Sequence, residues 1–244
     1  ALGKLVPEKV AQIVGGLAEG CRTAGCALLG GETAEMPGIY APEEYDLAGF
    51  IVGAVERDRI VDGSRIQVGD LIWGLPSSGL HTNGYSLARK VFADLPLHRQ
   101  VPELGRTLAD ELLEPHRCYL EPIKRLLDAE TRGRGAGETG GRGEPITHHS
   151  SLITQLLVHG MAHITGGGIP GNVCRIIPAG KKALFRWGSW PVPAIFRLIQ
   201  SRGNVAQEEM LRVFNLGLGF VFLCSPKDRE AVHSLVPEAL LVGE

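Results

Sequence analysis

Residues 71–92 read LIWGLPSSGLHTNGYSLARKVF. The apolar run at 71–75 is a short strand. It opens into a loop of hydroxyls, glycines, a histidine and an amide, and from about Tyr85 to Phe92 the apolar residues recur at helical spacing. Such a loop suits an anionic ligand. Glycine lets the backbone approach an oxyanion with no Cβ in the way, consecutive N–H groups form an anion-binding nest, and the following helix adds its dipole. The pattern recurs. The run at 26–29 leads into GGETAEMPG at 30–38, and a third loop, Thr165-Gly166-Gly167-Gly168 with Asn172 behind it, precedes another helical stretch.

Working outward, Pro7 suits the first turn of a helix. Val10, Ile13, Val14, Leu17, Ala18 and Cys21 form one apolar face, and Gly25 stops it. A longer strand is expected at 45–56 (YDLAGFIVGAVE). The polar, turn-rich stretch 62–70 marks a domain boundary, giving domains at 1–64 and 65–244. Helices follow near 106–113 and 117–129, then a strand at 182–187, helices at 193–200 and 205–214, and a buried strand at 216–224 (LGLGFVFLC). Ser225-Pro226 is a favourable start for the last helix. Strands alternating with helices place the chain in the α/β or α+β class. Residues 131–145 (TRGRGAGETGGRGEP) lack apolar periodicity and read as a flexible surface insertion. The alternative, an RNA-binding tract, lacks the aromatic residues that stack bases. Helix almost at residue 1 and an apparent strand at residue 244 suggest a piece of a longer protein.

The 244 residues are enough to bury a core. A net charge of −2 supplies no basic field for nucleic acid or an anionic membrane. The apolar run at 216–224 is too short to span a bilayer as a helix. Five cysteines, none in a CxxC pair, argue against a disulfide framework or a zinc site and favour a reducing, cytoplasmic setting; the first residues are not a signal peptide. His148, His149 and His159 show no metal spacing and are placed at a loop edge and a helix face. No P-loop, dinucleotide fingerprint or GxSxG elbow is present.

Among candidate chemical groups, Glu32 lies in a phosphate-friendly loop, where a carboxylate is tolerated beside phosphate if a cation lies between. That makes it a candidate Mg2+ ligand, against the plainer reading of a solvated acid in a turn. His81 has an ordinary pKa near neutrality and is either a general acid/base or a structural imidazole.

Five stretches occur in order: GGETAEMPGIY (30–40), YDLAGFIVG (45–53), SSGLHTNGYSLARK (77–90), HITGGGIPGN (163–172) and GNVAQEEMLRVFNLGLGF (203–220). Together they closely resemble the aminoimidazole ribonucleotide synthetases, or phosphoribosylformylglycinamidine cyclo-ligases, from about residue 3 to 244. The resemblance implies an enzyme of purine synthesis. ATP, with Mg2+, phosphorylates the amide oxygen of formylglycinamidine ribonucleotide, and a nitrogen of the same substrate closes the imidazole ring. It implies that Gly30, Gly31, Glu32 and Thr33 handle the nucleotide, with Glu32 on the metal, and that His81 and Glu32 are catalytic. Ser77, Ser78, Gly79, Asn83, Asp46 and Thr165, Gly166, Gly167 and Gly168 would face the ribonucleotide. It further implies a homodimer sharing a β-barrel built by the first domain, and a mixed sheet with packed helices in the second. The family's TDGVGTK-like motif, which supplies much of the ATP site, is not among these residues, so the chain alone is expected to be inactive. Another ATP-dependent member of the superfamily and a non-catalytic binding or dimerisation module are the alternatives.

Overall fold

The computed structural model describes residues 1–132 and 157–244, which form two compact units, Ala1–Asp58 and Arg59–Glu244. Most of the expected insertion at 131–145, together with His148 and His149, lies outside the described residues.

In the first unit, helix α1 spans Pro7–Thr23 with Pro7 in its first turn. At its end Gly25 takes a positive φ of 62°, and the Cys26 N–H donates back to the Cys21 carbonyl at 3.0 Å, closing the helix as its sequence indicates. The expected strands at 26–29 and 45–56 do not form. This unit has only isolated bridges, Leu2 with Glu35, Leu2 with Tyr45 and Pro37 with Tyr40. The physical reason is the absence of a neighbour. A strand is defined by a partner that takes its N–H and C=O groups, and local apolar character cannot supply one.

The second unit contains β1 (Leu71–Pro76), α2 (Tyr85–Val91), β2 (Gln100–Val101), β3 (Arg106–Thr107), α3 (Leu108–Leu112), α4 (Leu120–Arg132), β4 (Gly160–His163), α5 (Gly168–Val173), α6 (Ala194–Gly203), α7 (Gln207–Val213), β5 (Leu218–Cys224), α8 (Arg229–Leu235) and β6 (Leu240–Gly243). Four strands form one sheet in the order β4-β5-β1-β6, and every pairing in it is antiparallel. The α+β class with helices packed on a sheet is what the structure shows.

Strand β5 sits inside the sheet and is buried on both faces, which explains its nearly continuous apolar run. Leu218, Val221 and Leu223 join Ile72, Ile164, Ile169 and Val242 on one face. Phe222 and Cys224 join Trp73, Leu75, Tyr119 and Leu126 on the other. A third cluster lies among the helices, where Phe92, Leu108, Phe196, Ile199, Met210 and Phe214 are buried together.

Three expectations are corrected here. The helix expected from residue 106 begins at Leu108, because Arg106 and Thr107 pair with Val101 and Gln100; the Thr107 hydroxyl then caps the helix by accepting from the Asp110 N–H at 3.1 Å. The strand expected at 182–187 is reduced to one bridge, Phe185 with Gly243. Ser225 does not cap the last helix with its side chain; a 3-10 turn at Pro226–Asp228 intervenes.

Candidate functional site

In the second unit, β1 runs directly into the loop at 77–84, and a turn from elsewhere in the chain, residues 215–217, holds that loop. Ser77 N–H donates to the Gly217 carbonyl at 2.9 Å. Buried Asn215 reaches across with all of its amide. Its Nδ2 donates to the Gly79 carbonyl at 2.9 Å and to the Leu80 carbonyl at 3.3 Å, and its Oδ1 accepts from Ser77 Oγ at 2.8 Å and from Gly217 N–H at 2.9 Å. Sequence reading quoted Asn215 within a longer stretch but gave it no role. Four bonds converging on one buried amide make it the residue that sets the loop's shape.

The loop at 165–168 is organised in the same way. Buried Asn172, one turn into α5, donates through Nδ2 to the carbonyls of Thr165, Gly166 and Gly168 at 3.2, 3.3 and 2.8 Å, and accepts from Thr165 Oγ1 at 3.0 Å. Gly168 has φ 63°, and a Cβ there would lie 1.8 Å from the Leu211 carbonyl oxygen, so no other residue fits. The two loops meet: a Cβ on Gly166 would touch Asn83 Oδ1 at 3.4 Å. The helices after both loops are short, seven residues in α2 and six in α5, which leaves backbone amides rather than a long helix dipole as the contribution of each loop.

His81 stands where these elements converge. It is buried and adopts φ 61°, a left-handed conformation uncommon for a side chain of its size. Its Nε2 accepts from the Ser78 N–H at 3.1 Å, which places the proton of the neutral ring on Nδ1; that atom is buried with no partner. The His81 ring stacks on His116 at 3.8 Å between centroids and 19° between planes. His116 Nε2 in turn lies 3.0 Å from His163 Nε2, one donating and the other accepting. Tyr119 closes the group, donating its hydroxyl proton to the Pro76 carbonyl at 3.0 Å. Gly219 of β5 makes room for this packing, since a Cβ there would lie 1.9 Å from Tyr119 Oη and 2.5 Å from His81 Cε1.

Burial, with the neighbouring His116, His163 and Arg117, pushes the His81 pKa down to about 3. Burial lowers His116, with His163 adding to it, and burial lowers His163. Burial raises the Tyr119 phenol well above its ordinary value. His81 is therefore neutral at pH 7, too weak a base to take up a proton from solution and well suited to donate a hydrogen bond from Nδ1. Sequence reading gave His116 and His163 no role: His163 opens the quoted stretch 163–172, but 47 residues separate the pair and no local pattern links them. His159 lies just before β4, where it bonds buried Asp70 at 2.7 Å, rather than on a helix face.

The remaining candidates lie in the first unit. Gly30, Gly31, Glu32 and Thr33 are exposed and outside regular structure. The next residues are tied down, with the Leu2 N–H donating to the Ala34 carbonyl at 3.0 Å and the Leu5 N–H to Glu35 Oε1 at 2.8 Å. Asp46 Oδ2 accepts from the Tyr40 hydroxyl at 2.9 Å, which raises the tyrosine pKa. Glu32 offers an exposed carboxylate on a loop without basic residues, an oxygen donor of the kind Mg2+ takes.

Comparison with known proteins agrees with this architecture. The family described as AIR synthase related protein, C-terminal domain, matches residues 67–132 and 144–243, and the corresponding N-terminal domain family matches residues 1–55. A phosphoribosylformylglycinamidine cyclo-ligase from Desulfitobacterium hafniense is 47% identical over 239 residues, 98% of this chain and 63% of that protein. One from Anaeromyxobacter dehalogenans is 50% identical over 236 residues, 96% of this chain and 61% of that protein. The chain thus spans less than two thirds of the length of these curated relatives. A solved thiamine-monophosphate kinase from Stenotrophomonas maltophilia K279a matches at TM-score 0.38 and 18% identity, over 78% of this chain and 51% of that one.

Proposed function

The chain belongs to the AIR synthase related family, and from that premise we propose that it takes part in the ATP-dependent cyclisation of formylglycinamidine ribonucleotide to aminoimidazole ribonucleotide. The observation that carries this reading is the near-half identity to cyclo-ligases along almost the whole chain. The meeting of two amide-braced loops around a buried, neutral histidine supports it. ATP bound with Mg2+ would supply the phosphoryl group that turns the amide oxygen into a leaving group, and Glu32 in the loop with Gly30, Gly31 and Thr33 would hold the cation.

The second unit's residues would bind and curl the ribonucleotide. Ser77, Ser78, Gly79 and Asn83 would line one side and Thr165, Gly166, Gly167 and Gly168 the other. Holding the reacting nitrogen near the activated carbon supplies the effective molarity of ring closure. His81 would donate Nδ1–H to the oxygen on which negative charge builds, rather than remove a proton. The sequence left His81 open as a general base, and its low pKa favours the donor role.

Phosphate release from ATP, measured with and without formylglycinamidine ribonucleotide, tests the reading. Ribonucleotide-dependent release with imidazole formation is expected of the complete protein. Phosphoryl transfer to another acceptor, with no response to the ribonucleotide, would point to another superfamily member instead.

We further propose a homodimer formed through the first unit. Leu29, Phe50 and Val52 are almost fully exposed there, on stretches with strand-like sequence and no strand partner among the described residues, which is the state of a sheet waiting for its neighbours. Sedimentation equilibrium of the complete protein should give twice the chain mass, and a monomer at all concentrations would reject this arrangement. No helix among the described residues is long and apolar enough to cross a membrane, and five free cysteines fit the proposed cytoplasmic setting.

A further inference from the structure

Cysteine spacing argued against a zinc site, but that reasoning concerns thiolates alone. It does not reach imidazoles brought together by the fold. His81, His116 and His163 come from three separate loop and strand ends, and each offers a ring nitrogen within 4.8 Å of the other two. We propose that these three side chains form a binding site for a borderline divalent transition metal of the Zn2+ type, distinct from the Mg2+ handled with ATP.

Four observations carry the assignment. First, the His116 and His163 Nε2 atoms face each other at 3.0 Å. Two nitrogens bound to one zinc at about 2.0–2.1 Å, with bond angles of roughly 90–110°, lie about 2.9–3.4 Å apart, so this pair already has the bite of a chelate. Second, a third imidazole lies beside this pair: His81 is buried with its ring stacked on His116 at 3.8 Å between centroids. Third, the donor set is all imidazole. Neutral nitrogen ligands suit zinc, nickel and copper, whereas Mg2+ and Ca2+ demand the oxygens that this cluster lacks. Fourth, burial falls from His81 through His116 to exposed His163, so the group opens to solvent on one side. Three protein ligands with one position open to water is the coordination of catalytic or exchangeable zinc, as opposed to closed structural sites.

The three ligands are not equivalent. His116 and His163 need only give up their mutual hydrogen bond, the donor's Nε2 proton moving to its own Nδ1 so that both Nε2 lone pairs are free. His81 has to turn out of its stack on His116, and its single lone pair is occupied by the Ser78 N–H. Its coordination therefore displaces that amide, which makes it the weakest ligand of the three. Coordination through Nε2 leaves Nδ1 protonated, but it moves the ring away from the position proposed for its hydrogen-bond donation.

The test is a Zn2+ titration of the metal-stripped chain by calorimetry, in a Cys21→Ser, Cys26→Ser background. Those two side chains contact each other in the first unit and could compete for the metal. One equivalent should bind saturably. His116→Ala or His163→Ala should weaken binding more than about 100-fold, beyond what loss of a supporting residue costs, and His81→Ala should weaken it less but measurably. Co2+ in place of Zn2+ should give the ligand-field bands of nitrogen coordination without a thiolate charge-transfer band. Circular dichroism melts of each variant show that the fold persists, and His163, being exposed, is the substitution least able to disturb it. No saturable binding, or binding unchanged in both His116→Ala and His163→Ala, overturns the proposal. Binding unchanged in His81→Ala overturns the three-ligand assignment. All of these outcomes are read as metal binding and not as turnover, so failure here and failure of the proposed reaction are separately visible.

Discussion

Two short apolar stretches of nearly the same composition meet opposite fates. Phe50, Ile51 and Val52 of the first unit are 99, 83 and 95% exposed, whereas Val221, Phe222 and Leu223 of the second are 0, 0 and 2% exposed. Both carry the β-branched and aromatic residues that strands prefer. The difference lies in neighbours. Residues 221–223 have β1 on one side, β4 on the other and helices over both faces. Residues 50–52 have no strand partner among the described residues. Strand propensity therefore marks where pairing is possible, and the rest of the fold decides whether it happens.

The strongest way to break this comparison is to truncate one member of each stretch. Phe222→Ala should cost the second unit about 3–5 kcal/mol, read as a lower urea midpoint from the fluorescence of Trp73, which stacks on Phe222 at 6.4 Å. The same substitution at Phe50 belongs at the other end of the scale and is taken last. Next in size is Gly219→Ala. Its methyl group meets Tyr119 Oη and His81 Cε1 well inside contact distance, so an overpacking cost of about 1–3 kcal/mol is expected, with altered chemical shifts of the three histidine rings in NMR spectra. Unchanged histidine shifts would show that the strand does not dictate the geometry of the cluster.

Acid sharpens the comparison, because the second unit alone carries a buried histidine. His81 is held far below its ordinary 6.5, at about 3. Between those values the unfolded chain binds a proton that the folded chain refuses. The neutral ring's contribution is thus fully present above pH 6.5 and declines as pH falls toward 3. The slope is up to about 1.4 kcal/mol per pH unit from His81, and the more exposed His116 and His163 add less. Chemical denaturation of the metal-free protein from pH 7 to pH 4 should show this decline, and His81→Gln should flatten it. The smallest effect is expected for Phe50→Ala in the chain as given, within about 0.5 kcal/mol, since an exposed side chain gives up little on truncation. A loss comparable to that at Phe222 would mean that the first unit buries Phe50 in solution, most simply against a second copy.

The sequence by itself determined the class of the fold, the helix at Pro7–Thr23 with its glycine stop, the central buried strand and the three glycine-rich loops. These are local properties, in which apolar period, capping residues and glycine placement act within a few residues of one another. It also drew attention to His81, Asn172 and Glu32 as single residues of chemical interest. Only the tertiary structure decided what surrounds them. Asn215 reaches the loop at 77–80 across 136 residues, and His116 meets His163 across 47, separations at which no pattern in the chain constrains a pair. The low pKa of His81 follows from that company and from burial, both absent in the unfolded chain. The missing strands at 26–29 and 45–56 make the same point in reverse: their residues are suited to a sheet, and a sheet exists only where the fold supplies the other side of the hydrogen bonds.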